Sequence, residues 1–166
     1  LLNYTRQKIM SNQSKRLTTL DVHDINCMIG QIVVVGGVRR SAELSLSDLD
    51  DILMRNAKGG TFYNSEPQRT MANNSAVYLE KPSSSEFIKE WLSLVESGSG
   101  ERGIFNRYGL GFQLPKRRLA GLKDYLEYCG TNPCGEIILR PRQFCNLSEV
   151  VVRSEDDLNS LKYKVR

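Results

Sequence analysis

Between Val22 and Val33 the apolar residues Ile25, Met28, Ile29 and Ile32 recur at spacings of three and four, which predicts a helix with this stripe facing the core. Thr19 or Asp21 is suited to cap it, and Cys27 lies off the stripe. Residues 1 to 18 are polar, carry Arg6, Lys8, Lys15 and Arg16, and read as a loop or a helix end. Ala42 to Leu46 alternates as a strand would, and Ser47 or Asp48 then caps a short helix through Leu49, Ile52 and Leu53. Residues 56 to 72, rich in Gly, Asn, Ser and Pro, predict a loop, and Ser75 to Leu79 a strand. Pro82 and the serines after it open a helix whose Phe87, Ile88, Trp91, Leu92 and Val95 form a core stripe, ended by Ser97-Gly98-Ser99-Gly100. Gly103-Ile104-Phe105 and Ile137-Ile138-Leu139 are short buried-strand candidates, Val150-Val151-Val152 is a further apolar run, and residues 106 to 130 are a basic, glycine-punctuated excursion. Strands alternating with helices indicate the α/β class, and with no repeat or domain boundary the chain reads as one piece of one domain.

Candidate chemistry concentrates in Asn132-Pro133-Cys134-Gly135-Glu136, with Cys145 eleven residues after Cys134. Pro133 has a fixed φ and no amide hydrogen, and Gly135 reaches backbone angles closed to other residues, so Cys134 belongs in a tight turn. That turn presents a thiol and a carboxylate together. An ordinary turn with a buried, inert thiol has the same composition. A carboxylate two residues away disfavours a thiolate, so thiolate attack is not the route if Cys134 is catalytic.

A chain of 166 residues with 40% hydrophobic and 25% charged residues has the composition of a globular domain rather than a disordered one. It begins with Leu1, shows no signal peptide and has no apolar run near 18 residues, so it reads as a soluble, cytoplasmic fragment of something longer. The net charge is +4, gathered at Arg39-Arg40, Lys116-Arg117-Arg118 and Arg140-Pro141-Arg142. Such clusters favour anionic partners, nucleotide or nucleic acid alike, and a solvated basic face looks the same. The four cysteines, Cys27, Cys129, Cys134 and Cys145, read as reduced thiols. Their spacing is not that of a zinc ribbon or finger, and the single histidine, His23, is remote in sequence. Gly36 and Gly37 permit a sharp turn and close approach of a ligand, and Arg39 and Arg40 offer forked donors, although no dinucleotide or Walker pattern follows.

The run from Gly130 to Leu139 together with Gln143-Phe144-Cys145-Asn146-Leu147-Ser148-Glu149 resembles the radical-cysteine finger loop of ribonucleotide reductases. It is most similar to that of the adenosylcobalamin-dependent ribonucleoside-triphosphate reductases. Gly36-Gly37-Val38-Arg39-Arg40-Ser41-Ala42-Glu43 is similar to the same family's specificity loop, about a hundred residues earlier. The resemblance implies part of a ten-stranded α/β barrel with the finger loop through its centre. It implies Cys134 as the thiyl radical, Glu136 as general base on the ribose 3′ hydroxyl, and Asn132 as a hydrogen-bonding partner of the ribose. Cys145 would be one member of the redox pair, and Gly36, Gly37, Val38, Arg39, Arg40 and Ser41 would relay effector identity to the substrate base. The resemblance also implies adenosylcobalamin as cofactor, held mostly by residues beyond this chain. The implied partners are a ribonucleoside triphosphate, a deoxynucleotide effector and thioredoxin, with neither membrane nor nucleic acid among them. A large subunit of an iron-dependent ribonucleoside-diphosphate reductase shares the same cysteine and glutamate logic. A non-catalytic nucleotide-binding module would explain the basic clusters but not the spacing of Cys134, Glu136 and Cys145.

Overall fold

A computed structural model describes residues 1–35, 37, 42–146 and 148–165. Helices α1 (Leu2–Ser11) and α2 (Thr19–Val35) come first. Strand β1 (Glu43–Ser47) is followed by α3 (Ile52–Arg55), α4 (Phe62–Ser65) and a 3-10 turn over Pro67–Met71. Strand β2 (Ala72–Tyr78), helix α5 (Ser84–Ser97) and strand β3 (Gly103–Asn106) complete a parallel sheet in the order β1-β2-β3. Parallel neighbours need crossover connections, and the segments containing α3, α4 and α5 supply them. Beyond β3 lie α6 (Leu110–Gln113), α7 (Lys116–Ala120), a 3-10 turn over Lys123–Tyr128, the short antiparallel strands β4 (Gly130–Thr131) and β5 (Ile138–Leu139), and α8 (Leu158–Val165). The α/β class holds. Among the described residues the parallel sheet has three strands and does not close into a barrel, and no described helix is long and apolar enough to cross a membrane.

Local signals act where expected in α5. Ser83 Oγ accepts from the Glu86 amide at 3.2 Å while Glu86 Oε2 accepts from the Ser83 amide at 2.9 Å, and Gly98 ends the helix at φ +66°. Helix α3 is capped by Asp51, whose Oδ1 accepts from the Met54 amide at 2.9 Å, rather than by Ser47 or Asp48, because β1 runs on through Ser47. Residues 1 to 18, expected as a loop or a helix end, contain α1, and residues 56 to 72, expected as loop, contain α4 and a 3-10 turn.

The inward faces of α2 and α5 are the reverse of those expected. On α2 the buried residues are His23, Asp24 and Cys27, and Val22, Ile29, Ile32 and Val33 are exposed. On α5 the buried residue is Glu90, and Trp91 is 53% exposed beside exposed Phe87, Ile88, Leu92 and Val95. Charged partners inside the fold decide this. Asp24 accepts a forked pair from Arg69, Nε to Oδ1 at 2.6 Å and Nη2 to Oδ2 at 2.9 Å, and a bond from Lys8 Nζ at 2.8 Å. Glu90 accepts from Arg102 Nε at 2.7 Å and from Arg55 Nη2 at 2.9 Å. Each acid is fully desolvated and paired, which a buried charge requires.

An apolar cluster of Leu110, Leu122 and Cys129, with Phe105, Leu114, Leu126 and Ile138 packed on it, lies under the β4–β5 hairpin. The basic excursion of residues 106 to 130 thus folds into the platform on which the candidate site stands.

Candidate active site

The hairpin pairs Gly130 with Leu139 and Thr131 with Ile138, and six residues, 132 to 137, close it. Within them Asn132 to Gly135 form a tight turn in which the Asn132 carbonyl accepts from the Gly135 amide at 2.9 Å. Pro133 takes the second position and Cys134 the third, the arrangement that proline's fixed φ favours. Gly135 has φ +82°, a left-handed conformation that a side chain there would strain. Asn132 ties the loop internally. Its amide donates to the Ile137 carbonyl at 3.2 Å, and its Oδ1 accepts from the Ile137 amide at 3.1 Å. With Oδ1 committed to a backbone donor, the Nδ2 group is the end left to donate outward.

Neighbouring elements hold the hairpin in place. Ile138 packs on the apolar cluster, and Arg118 Nη2 donates to its carbonyl at 2.7 Å. Arg107 Nε holds the Cys129 carbonyl at 2.8 Å. A Cβ on Gly130 would meet Leu46 Cδ1 at 3.3 Å, so glycine lets the hairpin lie close to β1. Asn73 Nδ2 donates to the Pro133 carbonyl at 3.1 Å and fastens the turn to β2. Asn73 and Arg118 act on the site through backbone oxygens, so no motif in the chain announces them.

The structure separates the four thiols, all of which are free. Cys134 is exposed at the turn and Cys145 is half-buried, whereas Cys27 and Cys129 are buried. Burial, with the Glu43 carboxylate beside it, pushes the Cys27 thiol up to about 12, and burial raises that of Cys129. Both are held as protonated thiols at neutral pH. Glu136 is exposed, and its carboxylate has no hydrogen-bond or ion-pair partner among the described residues. Between β5 and Cys145 the chain turns at residues 140–143, where Arg140 and Gln143 exchange two bonds and Arg142 sits at φ +64°. The expected apolar run Val150 to Val152 is irregular and exposed.

Of the basic loop, Gly37 is described, at φ +69°, with its amide on the Val34 carbonyl at 3.0 Å. Gly36, Val38, Arg39, Arg40 and Ser41 lie outside the described residues. The strand that follows, β1, runs beside β2 with Glu43 opposite Ala72 and Leu44 opposite Asn73, the residue that holds Pro133. The start of β1 and the cysteine turn therefore lie at the same end of the β1–β2 pair.

The chain is 36% identical over 154 residues to the adenosylcobalamin-dependent ribonucleoside-triphosphate reductase of Levilactobacillus brevis, a match covering 86% of this chain and 19% of that protein. It is 37% identical over 153 residues to the enzyme of the same name from Lactobacillus acidophilus, covering 86% of this chain and 18% of the relative. The Lactobacillus leichmannii enzyme of that name is 36% identical over 155 residues, covering 86% and 19% respectively. No family model matches the chain. No solved structure matches it either. These similarities place the chain among the ribonucleotide reductases. It belongs to the adenosylcobalamin-dependent ribonucleoside-triphosphate reductase family and spans about a fifth of the length of the curated relatives it matches.

The chain's fit to adenosylcobalamin rests on Cys134. Its thiol is exposed at the hairpin and open to a cofactor held beside it. His23, the single histidine, is buried on α2 with Nδ1 2.7 Å from Ser45 Oγ and is not part of the hairpin.

Proposed function

We propose that the intact protein reduces ribonucleoside triphosphates to deoxyribonucleoside triphosphates by radical chemistry at Cys134. The observation that carries this reading is the free, exposed thiol at the third position of the Asn132–Gly135 turn, two residues from exposed Glu136, in a chain related to triphosphate reductases. The three-stranded sheet and the hairpin would be one part of a ten-stranded α/β barrel built around this finger loop. Bound adenosylcobalamin supplies radical chemistry. Cys134, as a thiyl radical, takes the hydrogen atom from the ribose 3′ carbon. Glu136 accepts the proton of the 3′ hydroxyl, which eases loss of the 2′ hydroxyl as water, and Asn132 Nδ2 donates to a ribose hydroxyl. Cys145 and a second thiol supply two electrons and become a disulfide, and Cys134 returns its hydrogen to the 3′ carbon. The balance is one ribonucleotide and one dithiol converted to one deoxynucleotide, one water and one disulfide. A thioredoxin-type dithiol restores the pair, and the free cysteines suit a reducing compartment such as the cytoplasm.

The direct test incubates the intact protein with a ribonucleoside triphosphate, adenosylcobalamin and a dithiol. Deoxynucleoside triphosphate is the expected product, and its absence from cofactor-replete protein would overturn the reading. Cys145→Ser is expected to stop multiple turnover while cofactor cleavage persists, since the substitution removes an electron donor and leaves Cys134 in place. Sustained thioredoxin-coupled turnover by that variant would remove Cys145 from the redox pair.

Gly36 to Ser41 are proposed to read a bound deoxynucleotide effector and the substrate base together. The support is the register that brings the following strand to Asn73, the residue holding the cysteine turn. Arg39→Ala should then change which ribonucleotide a given effector favours by about 5- to 150-fold, the usual scale of a coupling between two sites. Equal base preference in variant and wild type would return these arginines to a solvated basic face.

A further inference from the structure

Helix α2 and strand β1 bring together three side chains that the hairpin chemistry does not use. His23 and Cys27 stand one helical turn apart on the same face of α2, and Glu43 opens β1. Their ligand atoms all lie within 4.8 Å of one another. Cys27 Sγ is 3.5 Å from His23 Nε2 and 3.8 Å from Glu43 Oε1, and His23 Nδ1 is 3.6 Å from Glu43 Oε1.

Counting protons shows what this cluster lacks. Ser45 Oγ lies 2.7 Å from His23 Nδ1 and 3.3 Å from Glu43 Oε1. Its hydroxyl proton has two acceptors in reach, Nδ1 and Glu43 Oε1, and can serve only one. Cys27 Sγ lies beside the His23 ring, 3.5 Å from Nε2 and 3.9 Å from Nδ1. The one S–H of Cys27 has two acceptors, Nε2 and Glu43 Oε1, and can serve only one. A cation in place of that proton serves all three. Cys27 Sγ stands 3.5 Å from Nε2 and 3.8 Å from Glu43 Oε1, near the roughly 3.4–3.7 Å that bonds of about 2.1 Å to nitrogen and oxygen and about 2.3 Å to sulfur place between tetrahedral ligand atoms. A thiolate and a carboxylate together balance a divalent charge. Lys58, whose charge is felt at all three groups, is tied to the Ala72 carbonyl and to Glu101 Oε1 at 3.0 Å.

Two further features point the same way. A bond between Nδ1 and Ser45 Oγ is the kind of outer contact that fixes the tautomer and orientation of a ligating histidine. A cavity of about 570 Å³ lined by His23, Glu43 and Ser45 gives solvent access to the cluster.

We propose that His23, Cys27 and Glu43 bind a divalent transition-metal ion of the zinc class, with a water from the adjoining cavity as fourth ligand. Two of its ligands precede residues 36–42 and the third follows them, so the ion clamps the base of the basic loop. This site is independent of the reductase reading, and its test needs no turnover.

Cobalamin-free intact protein, reduced and stripped with chelator, is titrated with Co²⁺. A thiolate-to-cobalt charge-transfer band saturating at one ion per chain, and bleached by Zn²⁺, is expected. Cys27→Ser should lose the band, Glu43→Gln should weaken cobalt binding by about 10-fold or more, and Cys134→Ser and Cys145→Ser should retain it. No band in the wild type, or a band that survives Cys27→Ser or vanishes in Cys134→Ser, overturns the assignment. Should Cys27→Ser fail to fold, Glu43→Gln decides alone, because its side chain is partly exposed and unchanged cobalt affinity there refutes the site.

Discussion

Cys134→Ser in the intact protein is expected to abolish deoxynucleotide formation while leaving nucleotide binding in place. The substitution is nearly isosteric at an exposed position, and the Cys134 thiol makes no hydrogen bond among the described residues. The turn is held by Pro133, by the left-handed Gly135, and by the bonds of Asn132 to Gly135 and Ile137. None of these changes with the side chain at 134, so the hairpin keeps its shape. What changes is the bond to hydrogen: a serine O–H is too strong to relay a hydrogen atom to and from a ribose carbon. Product formation with cofactor and dithiol present is the measurement, with substrate binding as the control for folding. Any turnover by the variant above the cofactor-free background refutes the thiyl role.

Glu90→Ala should lower stability by about 3–5 kcal/mol, the cost of leaving a buried charge without its partner. Arg102 is 2% exposed and directs Nε to Glu90 Oε1 at 2.7 Å. It also donates to Ser47 Oγ at 2.9 Å, to the Asp48 carbonyl at 2.8 Å and to the Leu49 carbonyl at 3.1 Å. Arg55 reaches the same carboxylate from α3. Removing Glu90 therefore strands two guanidinium groups at the junction of α3, α5, β1 and β3. Burial by itself would raise the Glu90 carboxyl, and the bonds and charges of Arg102 and Arg55 outweigh it and hold the group below its ordinary value of 4.5. A depressed carboxyl contributes stability that is complete above the unfolded value and is lost as pH falls through the folded one. The wild type should thus lose stability on acidification below about pH 4.5, and Glu90→Gln should flatten that part of the profile. Denaturant midpoints across the acid range check both statements, and equal acid slopes in wild type and Glu90→Gln would remove the network from the account.

The elements whose signals are local were legible in the chain. Pro133 and Gly135 specify a turn through their own φ restrictions, Ser83, Glu86 and Gly98 bound α5 through caps, and alternation located β1, β2 and β3 to within a few residues. The resemblance carried by Asn132 to Leu139 located the candidate chemistry. The inward faces of α2 and α5 were not legible, because apolar periodicity reports that a helix is two-sided and not which side finds a partner. In this chain the partners are charges brought from afar, Arg69 to Asp24 over 45 positions and Arg102 to Glu90 from beyond the end of α5, and a paired, desolvated acid requires the inside. In the sequence His23 reads as remote from the cysteines, and only the packing of α2 on β1 gathers Glu43 and Ser45 around His23 and Cys27. Exposure likewise sorted four chemically identical thiols into two accessible and two buried, since a cysteine's reactivity belongs to its surroundings, and tertiary structure makes those surroundings.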